Sequence, residues 1–503
     1  MKRRVGVLEL LAAAASRGAV DHLHRFFFTR QAAGVMPQVV SAWARRQGHA
    51  TFYATWYGAG RAEKLLPDDL DVVFIACHSP GSLVAYALAS IYRARGVHTV
   101  LGGPHAASFP ADAVRFFDTV VESCDETVIA RLIDDPSAHR GIIATGAALD
   151  ALPTVEEREP EIRRSAMLGG RPFFATTVPL LSSLGCPYRC DFCIDATRRW
   201  TLLPAGDLEG DLEFLESRYP GVRLVFHDPN FAVRFDEVME VLATRPPQHR
   251  LPYAMQASLS ILTPQRLPRL AETGCVYTAP SLETFSDYAE KSGIAPAPAT
   301  ERLGKMIGHL QAIADHVPGI QVNLIFGLDQ DGDGREHLEL SLALMRAVPF
   351  ALITATIAMP YGGTEMHQRL HREGRLLTSL PPAFYYLPDM AFLRPSGDHP
   401  EALYDRLIRA FEVMTSREIL LARARSSLPL GLKVLHNARA LEARRMLKRL
   451  RVVRRRLDTD NELRAFFHGA HGRLPDWYRQ RARRRLGPYA RLLAPDWLRA
   501  VQG

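Results

Sequence analysis

Two long stretches of this 503-residue chain alternate short apolar runs with amphipathic helical patterns, and this alternation constrains the fold more than any other feature. In the first stretch, strands are predicted at 5–10, 50–55, 71–77, 99–101 and 119–121. Helices are predicted at 36–47, 83–95 and 126–133. Alternation of this kind predicts a parallel, doubly wound sheet, because a helix must return the chain to start each parallel strand.

The alternation resumes at residues 175–184 and continues to about Pro400. Six strands with helices between them predict a partial (β/α)6 barrel rather than an eight-fold one. The later strands are predicted at 222–226, 253–258, 277–282, 321–326 and 351–358. The helices between them are predicted at 207–218, 235–243, 264–272, 300–315 and 334–346. Beyond Pro400 the pattern is purely helical.

We therefore expect an α/β chain of three parts. A Rossmann-like parallel-sheet domain at 1–135 precedes a poorly patterned linker at 136–172, a barrel at 173–398 and an α-helical C-terminal domain at 399–503. The basic start followed by an apolar run is similar to a signal peptide, but Glu9 interrupts the run. We interpret it as a first buried strand. No apolar run reaches the ~18–20 residues of a membrane-spanning helix.

The basic charge of the chain is concentrated in one segment. The formal net charge is +8, but the stretch from Arg423 to Arg456 contains twelve Lys and Arg residues and a single acid, Glu442. Residues 420–457 are predicted to be helical, with Leu432, Leu435, Leu441, Leu447 and Leu450 on the apolar face. A solvated helix face, contact with anionic lipid and, least favoured, nucleic-acid binding remain open for this segment.

Three cysteines, Cys186, Cys190 and Cys193, are clustered on a predicted loop after the first barrel strand. Thiolates are the soft ligands that iron–sulfur clusters use. Three ligands on a four-iron cluster leave one iron open, as catalytic metals do, whereas a structural zinc site needs four ligands. His227 is the only nearby candidate for a fourth zinc ligand, and a lone histidine after a strand has many other roles.

The other cysteines, Cys77, Cys124 and Cys275, are scattered in apolar contexts and are interpreted as buried hydrophobic residues. Six cysteines in a chain of this length do not form a disulfide framework. Free thiols and an oxygen-labile cluster predict a reducing, cytoplasmic location.

The segment Cys186-Pro187-Tyr188-Arg189-Cys190-Asp191-Phe192-Cys193 resembles the Cys-x3-Cys-x-aromatic-Cys signature of the radical S-adenosylmethionine (SAM) superfamily. The resemblance implies that the three cysteines hold a [4Fe-4S] cluster. In that superfamily the cluster donates an electron to SAM, and the resulting 5′-deoxyadenosyl radical abstracts a hydrogen from the substrate. An electron donor such as a flavodoxin or ferredoxin is then an expected partner.

Further strand ends resemble elements of the cobalamin-associated branch of this superfamily. Residues 226–231 resemble its Asp-x-Asn-Phe element, which meets the methionyl part of SAM, and residues 280–284 resemble its Gly-x-Glu-Ser element near the ribose. Ser281 and Thr284 depart from the usual residues of the second element. Helix capping or ordinary buried hydrogen bonding is the alternative role for each side chain. The resemblance implies SAM contacts from Phe192, Asp228, Asn230, Ser258, Glu283 and Asn323.

The N-terminal part resembles the cobalamin-binding domain that often precedes this barrel. The resemblance rests on residues 100–105, on Phe109-Pro110 and on 149–153, and it implies contacts from Ser79, Gly102, Gly103, Pro104 and His105. The Asp-x-His-x-x-Gly motif is missing, so no recognisable histidine supplies a lower cobalt ligand. Cobalamin binding and a vestigial domain both remain open, as does a simple tight turn at the paired glycines.

The leading hypothesis is a radical SAM enzyme that functionalises an unreactive carbon, with cobalamin serving methyl transfer or a rearrangement. One alternative is a cobalamin-independent oxidation, cyclisation or carbon–carbon coupling. Another is a non-catalytic iron–sulfur protein for electron transfer or sensing. The expected substrate is a small molecule or a lipid, with no nucleic acid. Peripheral membrane contact through the basic helix stays open, and residues 360–364 are a candidate substrate-contacting turn.

Overall fold

The structure is a computed structural model that describes residues 2–16, 18–146, 149–286, 298–385, 393–396, 399–469, 472–493 and 497–499. In these ranges, no helix is both long enough and apolar enough to cross a membrane.

The N-terminal part is built on a six-stranded, wholly parallel sheet. Its spatial order is β2-β1-β3-β4-β5-β6, so the chain reverses direction across the sheet between β1 and β3. In open sheets of this kind ligands bind beyond the carboxyl ends of the strands at that reversal. The strands are β1 (Arg4–Leu10), β2 (Ala50–Trp56), β3 (Val72–Cys77), β4 (His98–Gly102), β5 (Thr119–Val121) and β6 (Gly141–Ile143).

Helices cover both faces of this sheet, and the prediction of a doubly wound sheet is confirmed. The linker prediction needs correction, because β6 and α7 both lie within 136–172 and β6 pairs with β5. The helices are α1 (Ala19–Phe27), α2 (Val35–Arg46), α3 (Ser82–Ala94), α4 (Pro104–Ser108), α5 (Pro110–Ala113), α6 (Glu126–Asp134) and α7 (Glu159–Ala166).

The second sheet is also parallel and has six strands, in the order β14-β13-β12-β11-β10-β7. Barrel strands that follow one another in the chain are also neighbours in this sheet, which confirms the partial barrel. The barrel is open between its edge strands β7 and β14. A short antiparallel pair, β8 with β9, follows β7. The strands are β7 (Thr177–Leu180), β8 (Ser183–Leu184), β9 (Thr201–Leu202), β10 (Arg223–Phe226), β11 (Tyr253–Ser258), β12 (Cys275–Ser281), β13 (Gly319–Phe326) and β14 (Leu352–Ile357).

Helices connect successive barrel strands as predicted, and one more, α13, follows the last strand. They are α8 (Ala205–Arg218), α9 (Phe235–Ala243), α10 (Leu267–Glu272), α11 (Ala299–Ala314), α12 (Arg335–Ala347) and α13 (Glu365–Arg372). The C-terminal region is helical, which is also confirmed. Its helices are α14 (Pro400–Met414), α15 (Arg417–Arg425), α16 (Leu430–Thr459), α17 (Asn461–Phe467) and α18 (Asp476–Leu486).

The basic segment is not one continuous helix from 420 to 457. It breaks between α15 and α16, and Pro429 is the capping residue at the start of α16. Proline disfavours the helical conformation in the residue before it, so the break falls there. Leu447 and Leu450 are buried as predicted, but Leu441 is 47% exposed.

The two sheet domains contact each other where the turn after β14 meets the end of α4. A Cβ atom on Gly362, in the turn after β14, would lie 1.8 Å from the carbonyl oxygen of Ser108 at the end of α4. Beside it, the rings of Phe109 and Tyr385 lie 5.2 Å apart. The turn proposed to touch substrate is therefore at least partly an interface between the two sheets.

Candidate active site

The cysteine loop, residues 185–200, lies beyond the carboxyl end of the first barrel strand. The antiparallel pair of β8 with β9 closes the loop at its base. Gly185 begins the loop with φ +67°, and a Cβ atom there would lie 2.5 Å from the carbonyl oxygen of Arg199. Only glycine fits both the left-handed conformation and this close approach, so Gly185 sets the start of the loop.

Cys186 is buried, whereas Cys190 and Cys193 are half-buried. In the part of the chain that the structure describes, no three His, Cys, Asp or Glu side chains are close enough together to hold a metal ion. The donor set nevertheless suits an iron–sulfur cluster, because three thiols between Cys186 and Cys193 of one loop match the ligand number of an open four-iron cluster. Phe192 is half-buried and packs against the main hydrophobic core.

Asp228 holds the base of the cysteine loop. Its Oδ1 atom accepts hydrogen bonds from the backbone N–H groups of Ser182 and Ser183, at 3.1 and 2.6 Å, and from both hydroxyls, at 2.7 Å each. The carboxylate is only 3% exposed, and burial raises its pKa while the serine hydrogen bonds lower it. Asp228 is thus engaged in joining the end of β10 to the end of β7.

Asn230 and Ser258 belong to a second hydrogen-bonded group, which reaches the cysteine loop. The Ser258 N–H donates to Asn230 Oδ1 at 2.8 Å, and the Ser258 hydroxyl lies 3.0 Å from that of Ser260. The Ser260 hydroxyl lies 2.8 Å from the Tyr188 hydroxyl, which belongs to the cysteine loop. Asp228, Asn230 and Ser258 therefore lie at or just after the ends of two neighbouring strands, β10 and β11, and each is hydrogen-bonded within the protein, while their contact with SAM stays a prediction.

The opposite side of the loop is held by ion pairs that the sequence did not reveal. Arg369 on α13 lies 2.9 Å from Asp191, between the second and third cysteines, and 2.5 Å from Asp329 after β13. Arg375 pairs with the same Asp329 at 2.5 Å. In addition, the Met366 N–H donates to the Asp191 carbonyl at 2.9 Å. No motif marks Arg369, because its partners lie 40 and 178 residues away in the chain.

Glu283 and Asn323 lie farther round the barrel. Glu283 follows β12, is 8% exposed, and its carbonyl accepts from the Ile325 N–H at 2.9 Å. Asn323 is half-buried on β13, where its Oδ1 accepts from Thr354 at 2.7 Å and from Gln321 at 2.9 Å. Asn323 therefore links β13 to β14, and Glu283 follows the strand that pairs with β13.

The proposed cobalamin contacts lie at the carboxyl edge of the first sheet. Among them, His105 is part of a buried chain of hydrogen-bonded side chains. Its ring nitrogens lie 3.0 Å from the Ser79 hydroxyl and 2.6 Å from the Tyr86 hydroxyl, which donates to Asp112. Burial lowers the pKa of His105 to about 3, so the ring is neutral. With both nitrogens bonded and the side chain fully buried, His105 is not presented as a cobalt ligand.

Of the two glycines beside His105, Gly102 borders open space, whereas a Cβ atom on Gly103 would lie 3.3 Å from the backbone nitrogen and oxygen of Cys77. A Cβ atom on Gly102 would have no neighbour within 4 Å. Gly103 is exposed with φ +86°, and Pro104 begins α4. The edge therefore fits a bulky group held without a histidine ligand.

Comparisons with known proteins place this fold. No family model matches the chain. The bacteriochlorophyllide d C-8(2)-methyltransferase of Chlorobaculum tepidum is 22% identical over 325 residues, which cover 62% of this chain and 70% of that protein. An uncharacterized methyltransferase of Pyrococcus horikoshii is 24% identical over 340 residues, covering 62% of this chain and 71% of that protein.

Two solved structures share the architecture. The radical SAM methyltransferase TsrM from Kitasatospora setae, with cobalamin and a [4Fe-4S] cluster bound, superposes with a TM-score of 0.52 at 13% identity, over 74% of this chain and 75% of that one. The cobalamin-dependent radical SAM enzyme OxsB, with aqua-cobalamin bound, gives 0.58 at 13% identity, over 95% of this chain and 75% of that one. The chain therefore has the fold of cobalamin-dependent radical SAM enzymes, which confirms the resemblance.

Proposed function

We propose that this chain is a radical SAM enzyme that functionalises an unreactive carbon, with cobalamin serving a methyl transfer. The observation that carries the proposal is the cysteine loop, which lies at the carboxyl end of a six-stranded parallel barrel and is anchored there from both sides. Polar groups at that end of barrel strands are where such folds place their chemistry. In this proposal residues 1–135 are the cobalamin-type domain and 173–398 the catalytic barrel.

Cys186, Cys190 and Cys193 would hold the [4Fe-4S] cluster, which supplies the electron that cleaves SAM. The chain's own residues position that site. Asp228 fixes the two serines before the loop, Tyr188 binds the end of β11 through Ser260, and Arg369 holds Asp191. Anchors on three sides restrict where the loop can place its thiols, which is the preorganisation that a reactive site needs.

The methyl-transfer assignment rests on the relatives and on the first sheet. Two relatives are methyltransferases, and the TsrM and OxsB structures contain cobalamin. In this chain the open edge over Gly102 would receive the corrinoid, and His105 would act only by supporting that edge through Ser79 and Tyr86. A rearrangement that uses the same cofactors is the second candidate.

The test is anaerobic reconstitution with iron, sulfide and cobalamin, followed by reduction in the presence of SAM. We expect about four irons per chain, bound cobalt, and both 5′-deoxyadenosine and S-adenosylhomocysteine. Cys190→Ala should abolish both products, whereas Cys124→Ala, which removes a thiol outside the loop, should not. 5′-Deoxyadenosine alone would contradict methyl transfer but keep the radical enzyme. A stable cluster with neither product would favour electron transfer or sensing.

A further inference from the structure

We propose that the substrate carries a phosphate-type anion on an apolar body and binds in a cavity of about 1070 Å³ between the two sheets and the C-terminal helices. This inference rests on the proposed function, because it names the substrate class of the same barrel. The cation cavity, as we call it, is lined by residues 11–15, by α1, by β14 and by helices α14, α15, α16 and α18.

The cation cavity lies at the open side of the barrel. On the β7 side of the opening, the first domain closes the gap: Gln31 accepts from the Thr177 N–H at 3.0 Å and from the Thr177 hydroxyl at 3.2 Å. On the other side, residues 351–355 of β14 line the cavity. One of these is Thr354, whose hydroxyl donates to Asn323, a predicted SAM contact. The cavity is therefore next to the barrel interior.

The charge of the lining is strongly positive, with nine Arg and Lys residues against two acids. Of the acids, Asp21 pairs with Arg25 at 3.1 Å, and Glu442 lies 3.9 Å from His24. Arg445 and Arg449 are four residues apart on α16 and so share one face, and Arg439 of the same helix also lines the cavity. Arg481 and Arg484 on α18 also line the cavity.

On α16, cations that line the cavity differ in ion pairing from the neighbouring arginines outside it. On the side of α16 that faces α14, Arg451 pairs with Glu412 at 2.7 Å and Arg454 with Asp405 at 2.8 Å. Within the described ranges, Arg445, Lys448 and Arg449 form no ion pair. Cations that outnumber acids nine to two on a concave surface repel one another and attract an anion. Arginine matches phosphate oxygens in particular, because its N–H groups bind them in pairs.

The rest of the lining is apolar and lies mainly on the strand side. Residues 11–15 read Leu-Ala-Ala-Ala-Ala, and Ile353, Ala355, Met345 and Phe411 add further apolar surface. A ligand with its anion on α16 and α18 would place its carbon skeleton against β14. The carbon that reacts would then belong to the apolar part of the substrate, remote from the anion.

The test measures binding of octyl phosphate to the reconstituted full-length protein by calorimetry, which does not depend on SAM cleavage. The cavity variant carries both Arg449→Gln and Arg484→Gln. The matched control is Arg455→Gln with Arg483→Gln, two exposed residues of the same helices outside the cavity. We expect the cavity variant to bind about tenfold or more weakly, because hydrogen bonds to charged groups are strong, and the control to change less than about twofold. Octanol should bind far more weakly than octyl phosphate.

Equal affinity of the two variants, or of octanol and octyl phosphate, would overturn the proposal. Displacement of octyl phosphate by cobalamin would also overturn it, since the cavity would then belong to the corrinoid. To separate a free substrate from a lipid headgroup, phosphatidylglycerol vesicles replace octyl phosphate. Vesicle binding that both variants retain equally, without octyl phosphate binding, would contradict a cavity site. If octyl phosphate binds but SAM is not cleaved, the proposed function fails and the anion site stands.

Discussion

Replacing Asp228 with Ala should release the base of the cysteine loop. The carboxylate accepts hydrogen bonds from the N–H groups and hydroxyls of Ser182 and Ser183, and all three side chains are 3% exposed or less. Alanine removes every one of these acceptors. The two hydroxyls can turn to other partners, but the two N–H groups are fixed by the backbone and would be left buried and unsatisfied.

The size of the effect follows from those two N–H groups. Each buried, unsatisfied donor costs about 1–3 kcal/mol. The carboxylate itself is costly to bury, so its removal recovers part of that cost. We therefore expect the attachment of residues 182–183 to weaken by about 2–4 kcal/mol, which increases the population of the detached loop by roughly 30- to 1000-fold. Asp228→Asn keeps one acceptor oxygen and should weaken the attachment by about 1 kcal/mol.

Hydrogen exchange measured by mass spectrometry over residues 180–193, together with iron content after reconstitution, provides the assay. Asp228→Ala should accelerate exchange there and lower the iron content, with Asp228→Asn intermediate. The matched control is Asp236→Ala, which removes an exposed carboxylate at the start of α9. If Asp228→Ala and Asp236→Ala exchange and bind iron alike, the loop does not depend on Asp228 and our reasoning is refuted.

Three further changes test other parts of the structure. Gly362→Ala should lower the melting temperature, because its Cβ atom would lie 1.8 Å from a carbonyl oxygen. Gly308→Ala, in open space on α11, should raise it slightly, and equal shifts in melting temperature would contradict this reasoning. Arg369→Gln should lower the iron content after reconstitution, because it releases Asp191. Arg372→Gln, at an exposed position of the same helix, should not, and equal iron contents of the two variants would contradict the role of Arg369. Burial raises the pKa of Glu9 to about 7, above its unfolded value of 4.5, so the contribution of Glu9 to stability is complete below pH 4.5 and is lost as pH rises from 4.5 to 7, by at most about 3 kcal/mol. Urea unfolding of Glu9→Gln should lack this loss between pH 4.5 and 7, and an unchanged pH dependence would contradict the assignment.

The sequence pattern was sufficient to predict where an element begins and ends if that element is long or strongly periodic. The predicted strand at 253–258 and helix at 235–243 match the structure residue for residue, because their apolar positions alternate at the expected period. The strand β6 was missed because it is a partly exposed edge strand of three residues, whereas β5, equally short, is fully buried and was predicted. Helix α7 was missed because its buried face includes Glu161, which becomes acceptable only beside Arg45 and Ser41, more than 100 residues earlier.

The residues of the site were also predictable only in part, because their contacts join distant parts of the chain. The cysteines stand out through their spacing, and Asp228, Asn230 and Ser258 through their positions at strand ends. What those side chains contact could not be predicted, because hydrogen bonds such as those of Asp228 to Ser182 and of His105 to Tyr86 depend on the assembled fold. The position of Arg369 and the cation cavity likewise arise only when distant elements pack together.

Electron paramagnetic resonance of the reduced, reconstituted protein tests the central claim most directly, because the claim is a cluster with one open iron. We predict a signal of a reduced [4Fe-4S] cluster whose g-values shift when SAM is added, since SAM would bind that iron. Cys190→Ala should lose the signal, and Cys124→Ala should retain both the signal and the shift. A cluster signal that SAM leaves unchanged would contradict the account, because it would indicate a cluster with no open position.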